Sequence, residues 1–403
     1  MPKLVDSSEV TTSRRYVHLP TEILVHIAKS IFDDWLDDDD DGADFPHPQV
    51  TLQNFCAVSR QWYSAGIEFL YYRPQLSKGN SFSLFTNTVC PPLRSRERKA
   101  DLGSLVRILN LGALVHHSSN SLTARLLGRV KKHLKAFVAP RISFSINSLA
   151  PLAKCKELAY LSLKWVAEPI PLSAIKKSIN SLDKLRSLEL SSSMFITDNG
   201  SSEDWPPNLE CLKVGGQLDV EKMSYFRWPR NLIGLTLCGC ENLDTPVFER
   251  VLMNEQLCAT LTKLTIHRLN REMFKEGPSQ ILTELVDLHS LQIPVDLLYH
   301  LLILPAFDPG DSPSSIRELE LTAPYDESFL MEIDPDHICK ALKMNLSRVC
   351  YLGISPGCLG VIPEASHAKI DRLVWKNIDK CPDEELDSLF DLGLVVMDKE
   401  PLC

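Results

Sequence analysis

The sequence predicts an α/β solenoid, with parallel strands on a concave face and helices on a convex one, preceded by a small all-helical module. Three observations carry this. The phrase Leu-x-x-Leu-x-Leu recurs, most plainly at Leu158–Leu163, Leu185–Leu190 and Leu232–Leu237. Taking the middle apolar residue of each phrase as a marker gives Leu109, Phe137, Leu161, Leu188, Leu212, Leu235, Leu264, Leu291, Leu319, Leu352 and Leu373, spaced 21 to 33 residues apart. A recurring period of that size is the signature of stacked repeats. Residues 18–74 lack the phrase and carry helical spacing instead.

Residues 1–17 are polar and charged, without the apolar core of a secretory leader, and are expected to be a flexible terminus. The module of residues 18–74 opens at Leu19-Pro20-Thr21-Glu22-Ile23-Leu24. Proline suits the first helical turn, where its missing N–H costs nothing. Glu22 complements the positive end of the helix dipole. Ile23, Leu24, Ile27 and Ile31 then recur at helical spacing, which predicts one apolar face. The acidic stretch 33–48, with Asp33, Asp34, Asp37 to Asp41 and Asp44, reads as a solvated loop because clustered like charges resist packing. Two short helices follow, with Ser59 as a cap between them and Leu52, Phe55, Val58, Trp62 and Leu70 facing inward or an interface.

Three sub-motifs in this order, Leu19-Pro20-x-Glu22-Ile23-Leu24, Val58-Ser59-Arg60-x-Trp62 and Leu70-Tyr71, resemble an F-box. The acidic insert is a departure from that pattern. The resemblance implies docking to a Skp-type adaptor and, through it, a cullin–RING ubiquitin ligase. Matched residue by residue, it places Leu19, Pro20, Ile23, Leu24 and Ile27 at the adaptor interface, with Val58, Trp62, Leu70 and Tyr71 supporting or sharing it.

Residues 75–99 read as a basic linker. Within 76–160 there are 14 Lys/Arg against 3 Asp/Glu, although the whole chain has a net charge of -9. Arg94, Arg96, Arg98 and Lys99 lie in the linker. Arg125, Arg129 and Lys132, spaced i, i+4, i+7, are expected on one helix face, flanked by Lys131 and Lys135. Such a block admits phosphate or nucleic-acid binding or, with no RNA-binding aromatic signature beside it, a solvated helix face.

Residues 100–395 are expected to form about eleven irregular leucine-rich repeats. In an extended strand side chains alternate, so Leu161 and Leu163 point into the solenoid while their neighbours point out. The outward residues offered as a substrate surface are Tyr160, Lys164, Glu189, Lys213, Lys263, His267, Glu318, Glu320, Tyr351 and Arg372, with Thr265, Gln292 and Lys376 between them. Helical return segments are expected around Ile175–Leu182, Val247–Leu252, Ile281–Leu285 and Ile338–Leu342. Cys240 falls where these repeats carry Cys or Asn, a structural rather than reactive position. Ile370-x-x-Leu373-x-Trp375 is expected to be the last strand, Pro382–Phe390 a capping helix, and 396–403 a tail. Together the two parts resemble an F-box/leucine-rich-repeat protein.

No phosphate loop, dinucleotide fingerprint, nucleophile elbow or metal-ligand spacing occurs, and His116-His117 stands alone. A non-catalytic adapter is therefore expected, with no cofactor or metal, no membrane and no nucleic acid. The expected location is the cytoplasm, the nucleus or both. The 12 cysteines lack pairing motifs and read as reduced thiols. The resemblance implies a substrate receptor of a Skp–cullin–F-box ligase. Two alternatives stay open: a ligase-independent interaction scaffold, and a nucleic-acid-associated factor using residues 94–135.

Overall fold

The computed structural model describes residues 19–37, 48–77, 80–91, 101–114, 120–193, 204–217, 226–241, 243–267, 270, 281–298, 301–302, 314–324, 334–358, 362–382 and 392–397. The chain divides into two compact units, Met1–Gln75 and Leu76–Cys403.

The first unit is all-helical, with α1 (Thr21–Asp37), α2 (Pro48–Ala57) and α3 (Arg60–Tyr72). Pro20 precedes α1 and its carbonyl accepts from the Leu24 amide at 3.3 Å. Ser59 caps α3, its hydroxyl accepting from the Trp62 amide at 3.4 Å. Gln61 Nε2 donates to the Leu19 carbonyl at 2.9 Å, tying α3 to the chain leading into α1. Leu24, Ala28, Phe32, Leu52, Phe55, Cys56 and Ala65 form the core. Phe55 stacks against Trp62 at 4.6 Å and Phe32 meets Tyr72 edge-on at 4.9 Å. Gly66 lets α2 and α3 approach, because a Cβ there would lie 2.8 Å from the Phe55 ring. The acidic stretch does not begin as a loop: α1 continues through Asp33 and Asp34 to Asp37. Residues 38–47 lie outside the described ones.

The second unit opens with α4 (Ser81–Val89) and is organised by one eleven-stranded parallel sheet. The strands are β1 (Ile108–Asn110), β2 (Ala136–Val138), β3 (Tyr160–Ser162), β4 (Ser187–Glu189), β5 (Cys211–Gln217), β6 (Gly234–Glu241), β7 (Lys263–Ile266), β8 (Ser290–Pro294), β9 (Glu318–Thr322), β10 (Tyr351–Ile354) and β11 (Gly393–Val396). They lie side by side in chain order. Parallel neighbours need a crossover, and here helices supply many of them. These are α5 (Asn120–Val130), α6 (Ile146–Leu152), α7 (Leu172–Ile179), α8 (Thr245–Leu252), α9 (Glu255–Thr260), α10 (Pro335–Lys343) and α11 (His367–Ile378). The architecture is α/β and compatible with a solenoid.

The register explains the leucine phrase. Leu109, Phe137, Leu161, Leu188, Leu212, Leu235, Leu264, Leu291, Leu319 and Leu352 are successive partners across the sheet. Each is at most 2% exposed. Every repeat thus places one apolar side chain directly against the same position of the next. The helices close the row from one side: Ile175 and Ile179 of α7, Val247, Phe248, Val251 and Leu252 of α8, and Ile338 and Leu342 of α10 are buried.

Two expected elements differ. The segment of Ile281, Leu282 and Leu285 forms only a three-residue 3-10 turn, Ile281–Thr283. Ile370-x-x-Leu373-x-Trp375 is not a strand; it lies within α11. Ile370, Val374 and Ile378 recur every four residues and are buried, a helical period that the marker phrase does not exclude. The buried Asn377 amide fixes this helix by donating towards the carbonyls of Leu342, Leu346 and Val349 at 3.3 to 3.4 Å. The eleventh strand is β11, where Leu394 continues the leucine row beside Leu352. Its first residue, Gly393, has φ +87° and sits against the Trp375 indole, where a Cβ would meet Nε1 at 3.0 Å. Residues 383–390 of the expected capping helix lie outside the described residues, as do His116 and His117.

Two strand ends are tied by buried polar groups. The Cys240 amide donates to Asn270 Oδ1 at 2.9 Å, and Asn270 Nδ2 donates to the Leu237 carbonyl at 2.9 Å. The Cys240 thiol donates to the Val214 carbonyl at 3.6 Å. The Cys358 thiol does the same to Thr322 at 2.9 Å. Burial pushes the thiols of Cys155 and Cys240 up to about 12, so neither is a nucleophile at neutral pH.

Two predictions follow from this packing. Leu24→Asp buries a carboxylate in the three-helix core and should abolish the cooperative unfolding of the first unit, at a cost of several kcal/mol; a calorimetric transition retained for that unit would contradict the packing. In thiol labelling at pH 8, Cys211, the exposed cysteine among the described residues, should react first. Cys155 and Cys240 should react only under denaturant; mass-spectrometric mapping reads the order.

Candidate functional surfaces

Two surfaces have unusual chemistry, one on each unit. On the first, α1 carries apolar residues on two sides. Leu24, Ala28 and Phe32 face the core, whereas Ile23 and Ile27 are 46% and 38% exposed. They are four residues apart and therefore adjacent on one helix face. Val25, Val50, Val58 and Tyr63 are also exposed. Solvent-facing isoleucines add little to the stability of a module of this size, and contiguous exposed apolar patches are where interaction sites are found.

This arrangement divides the expected adaptor residues. Ile23, Ile27, Val58 and Pro20 are accessible, and Leu19, Trp62, Leu70 and Tyr71 are half-buried, with Leu19, Trp62 and Leu70 packed on the core. Burial of the Tyr71 ring raises its phenol above the ordinary tyrosine value. Leu24 is a correction: at 0% exposure it is a core residue and not a contact. Helical spacing alone places Ile23, Leu24 and Ile27 on one broad face; which edge of that face is buried depends on where α2 and α3 pack.

On the second unit, the side of the sheet opposite the leucine row presents two lines of side chains in register. One runs through Tyr160, Ser187, Cys211, Gly234, Lys263, Ser290, Glu318 and Tyr351. The other runs through Ser162, Glu189, Lys213, Thr236, Thr265, Gln292, Glu320 and Gly353. The expected surface residues Tyr160, Glu189, Lys213, Lys263, Glu318, Glu320 and Tyr351 all fall on these lines. Lys164 and His267 lie just beyond β3 and β7. Arg372 is a correction, since it sits on α11 and not on a strand, and Lys376 goes with it.

The lines are charged unevenly. Ser162 Oγ donates to Glu189 Oε2 at 2.6 Å. Burial, and then the nearby Glu189 carboxylate, push the Tyr160 phenol up to about 12. Further along, burial raises the Glu320 carboxyl, Lys263 pulls it down and Glu318 pushes it up. Gly353 leaves room for the neighbouring Tyr351 ring, whose hydroxyl lies 2.8 Å from where its Cβ would stand. The face is a polar, mixed-charge strip with aromatic points.

The basic block is partly structural. Arg94, Arg96, Arg98 and Lys99 lie outside the described residues. Arg125 on α5 donates to the carbonyls of Cys90 and Pro91 at 3.3 and 3.4 Å. Lys132 is not on the helix with Arg125 and Arg129, because α5 ends at Val130. Among the described residues no helix is long and apolar enough to cross a membrane, and no group of three His, Cys, Asp or Glu side chains is placed to hold a metal.

Sequence reasoning missed Asn270, whose amide completes the turn beside Cys240; a fully buried asparagine has no periodic signal of its own.

No protein-family model matches the chain. It is similar to an F-box protein of Saccharomyces cerevisiae, 29% identical over 243 residues, which cover 60% of this chain and 49% of the yeast protein. The chain thus spans about half the length of the curated relative it matches. That likeness supports an F-box protein.

Proposed function

We propose that this chain is the substrate-recognition subunit of a Skp–cullin–F-box ubiquitin ligase. In this reading the three-helix unit is the F-box and docks a Skp-type adaptor. The second unit is a leucine-rich-repeat solenoid whose concave, polar sheet face holds a protein substrate. The chain supplies no catalytic group; it accelerates ubiquitin transfer by holding the substrate near the ligase's transfer machinery. The observation that carries the reading is the solvent-facing pair Ile23 and Ile27 on a helix whose opposite side already fills the core. The likeness to a yeast F-box protein points the same way. Repeat arrays expose long surfaces suited to macromolecular partners.

Ile23→Asp/Ile27→Asp should leave the unit folded and weaken binding of a purified Skp-type adaptor by two orders of magnitude or more, because interface hot spots of this kind cost about 2 kcal/mol each. Circular dichroism checks the fold and calorimetric titration the affinity. Unchanged affinity in the folded double variant would remove this face from the interface. Substitution of Glu318 and Glu320 by Gln should leave adaptor binding unchanged.

A further inference from the structure

A cavity of about 470 Å³ opens where the loops following β2, β3 and β4 meet the side of β5 and β6. Its size suits a small ligand or a single side chain. Arg141, Lys164 and Lys213 line it, and no acidic residue does among the described residues. These cations come from separate turns of the chain. None forms an ion pair among the described residues. Glu189, the cross-strand neighbour of Lys213, accepts instead from Ser162.

The rest of the wall is apolar and aromatic. Val166 and Leu190 are buried, and Trp165 is 51% exposed, with the Lys164 ammonium 4.6 Å from its ring centroid. Hydrogen bonds and close backbone approach shape the wall. Ser191 and Ser193 both donate to the Val166 carbonyl, at 2.5 and 2.7 Å, and so fix the turn after β4. Gly215 and Gly216 bring β5 against that turn and against β6. A Cβ on Gly215 would lie 2.4 Å from the Cys238 carbonyl oxygen, and one on Gly216 2.3 Å from that of Ser192. The Ser192 side chain, next to both, is exposed at the rim.

Three cations around one small cavity, with no ion-pair partner among the described residues, call for a compact, multiply charged anion; a carboxylate would leave most of that charge unmatched. The planar Arg141 guanidinium suits paired phosphate oxygens. The Trp165 ring and the apolar wall call for carbon atoms attached to that anion. A nucleic acid strand needs a groove that follows successive phosphates, whereas these three cations line a single half-open cavity. We infer that the cavity binds a phosphate-bearing organic group, its phosphate held by Arg141, Lys164 and Lys213 and its carbon body flanked by Trp165. The inference is independent of the proposed ligase role, which is read at the Ile23/Ile27 face.

The test is calorimetric titration of the full-length chain with phenyl phosphate and, separately, with inorganic phosphate. Saturable one-to-one binding of phenyl phosphate is expected, with weaker binding of inorganic phosphate. Lys164→Gln/Lys213→Gln should weaken phenyl phosphate binding about ten-fold or more for each cation removed. Its urea midpoint should equal that of the wild type, since neither lysine has an ion-pair partner among the described residues. No saturable binding by the folded wild type would overturn the inference, as would equal affinity in the double variant or equal affinity for inorganic phosphate. A pool of phosphotyrosine peptides then separates the sources of the group. Selective retention of some sequences assigns it to a protein segment, and affinities no better than phenyl phosphate assign it to a free small molecule.

Discussion

One contact repeated across the sheet sets the rest of the second unit: a leucine, or once a phenylalanine, at the second position of each strand, packed against its counterpart on the next. Strands of three to eight residues, nine of the eleven no longer than five, make few hydrogen bonds and would not persist alone. They persist because the row is continuous and dry, and because each turn of chain covers its neighbour. The same constraint fixes direction. With the leucines committed to the interior, the flanking residues of every strand must face the other way, and two ordered lines of polar side chains result. The polar face of the sheet is therefore a by-product of core register.

The first unit solves a different problem. Three short helices have little interior to share, so Leu24, Phe32 and Phe55 are needed inside, with the half-buried Trp62 packed on them. That Ile23 and Ile27 remain outside is informative for this reason. In a small module, large apolar side chains withheld from the core are available to a partner at no cost to the fold. The two units thus supply complementary chemistry: an apolar helix face on one, and a polar strip with a cationic cavity at its edge on the other.

Much of this was legible in the sequence, and the failures are instructive. Ten phrase markers from Leu109 to Leu352 each fall at the second residue of one of ten strands, because strand alternation leaves an unmistakable imprint. The marker Leu373 misled because Ile370, Leu373 and Trp375 fit a strand phrase and a helix turn equally well; burial of Ile370, Val374 and Ile378 decides for the helix, and Arg372 leaves the sheet with it. Leu394 escaped notice because Gly393-Leu-Val-Val lacks the first leucine of the phrase. On α1, the spacing of Ile23, Leu24 and Ile27 predicted one face, whereas packing splits it between core and solvent. The cavity could not be read at all. Arg141, Lys164 and Lys213 are far apart in the chain, and only the parallel stacking of successive turns brings them together.

The central claim is that the helical unit joins this chain to a ubiquitin ligase. Affinity capture of the full-length protein from its own cells, with mass spectrometry of what is retained, tests it most directly. The account predicts that a Skp-type adaptor and a cullin are recovered together in amounts comparable to the bait. Recovery of neither by a folded bait would contradict it, and would leave a repeat scaffold whose helical unit only caps the array.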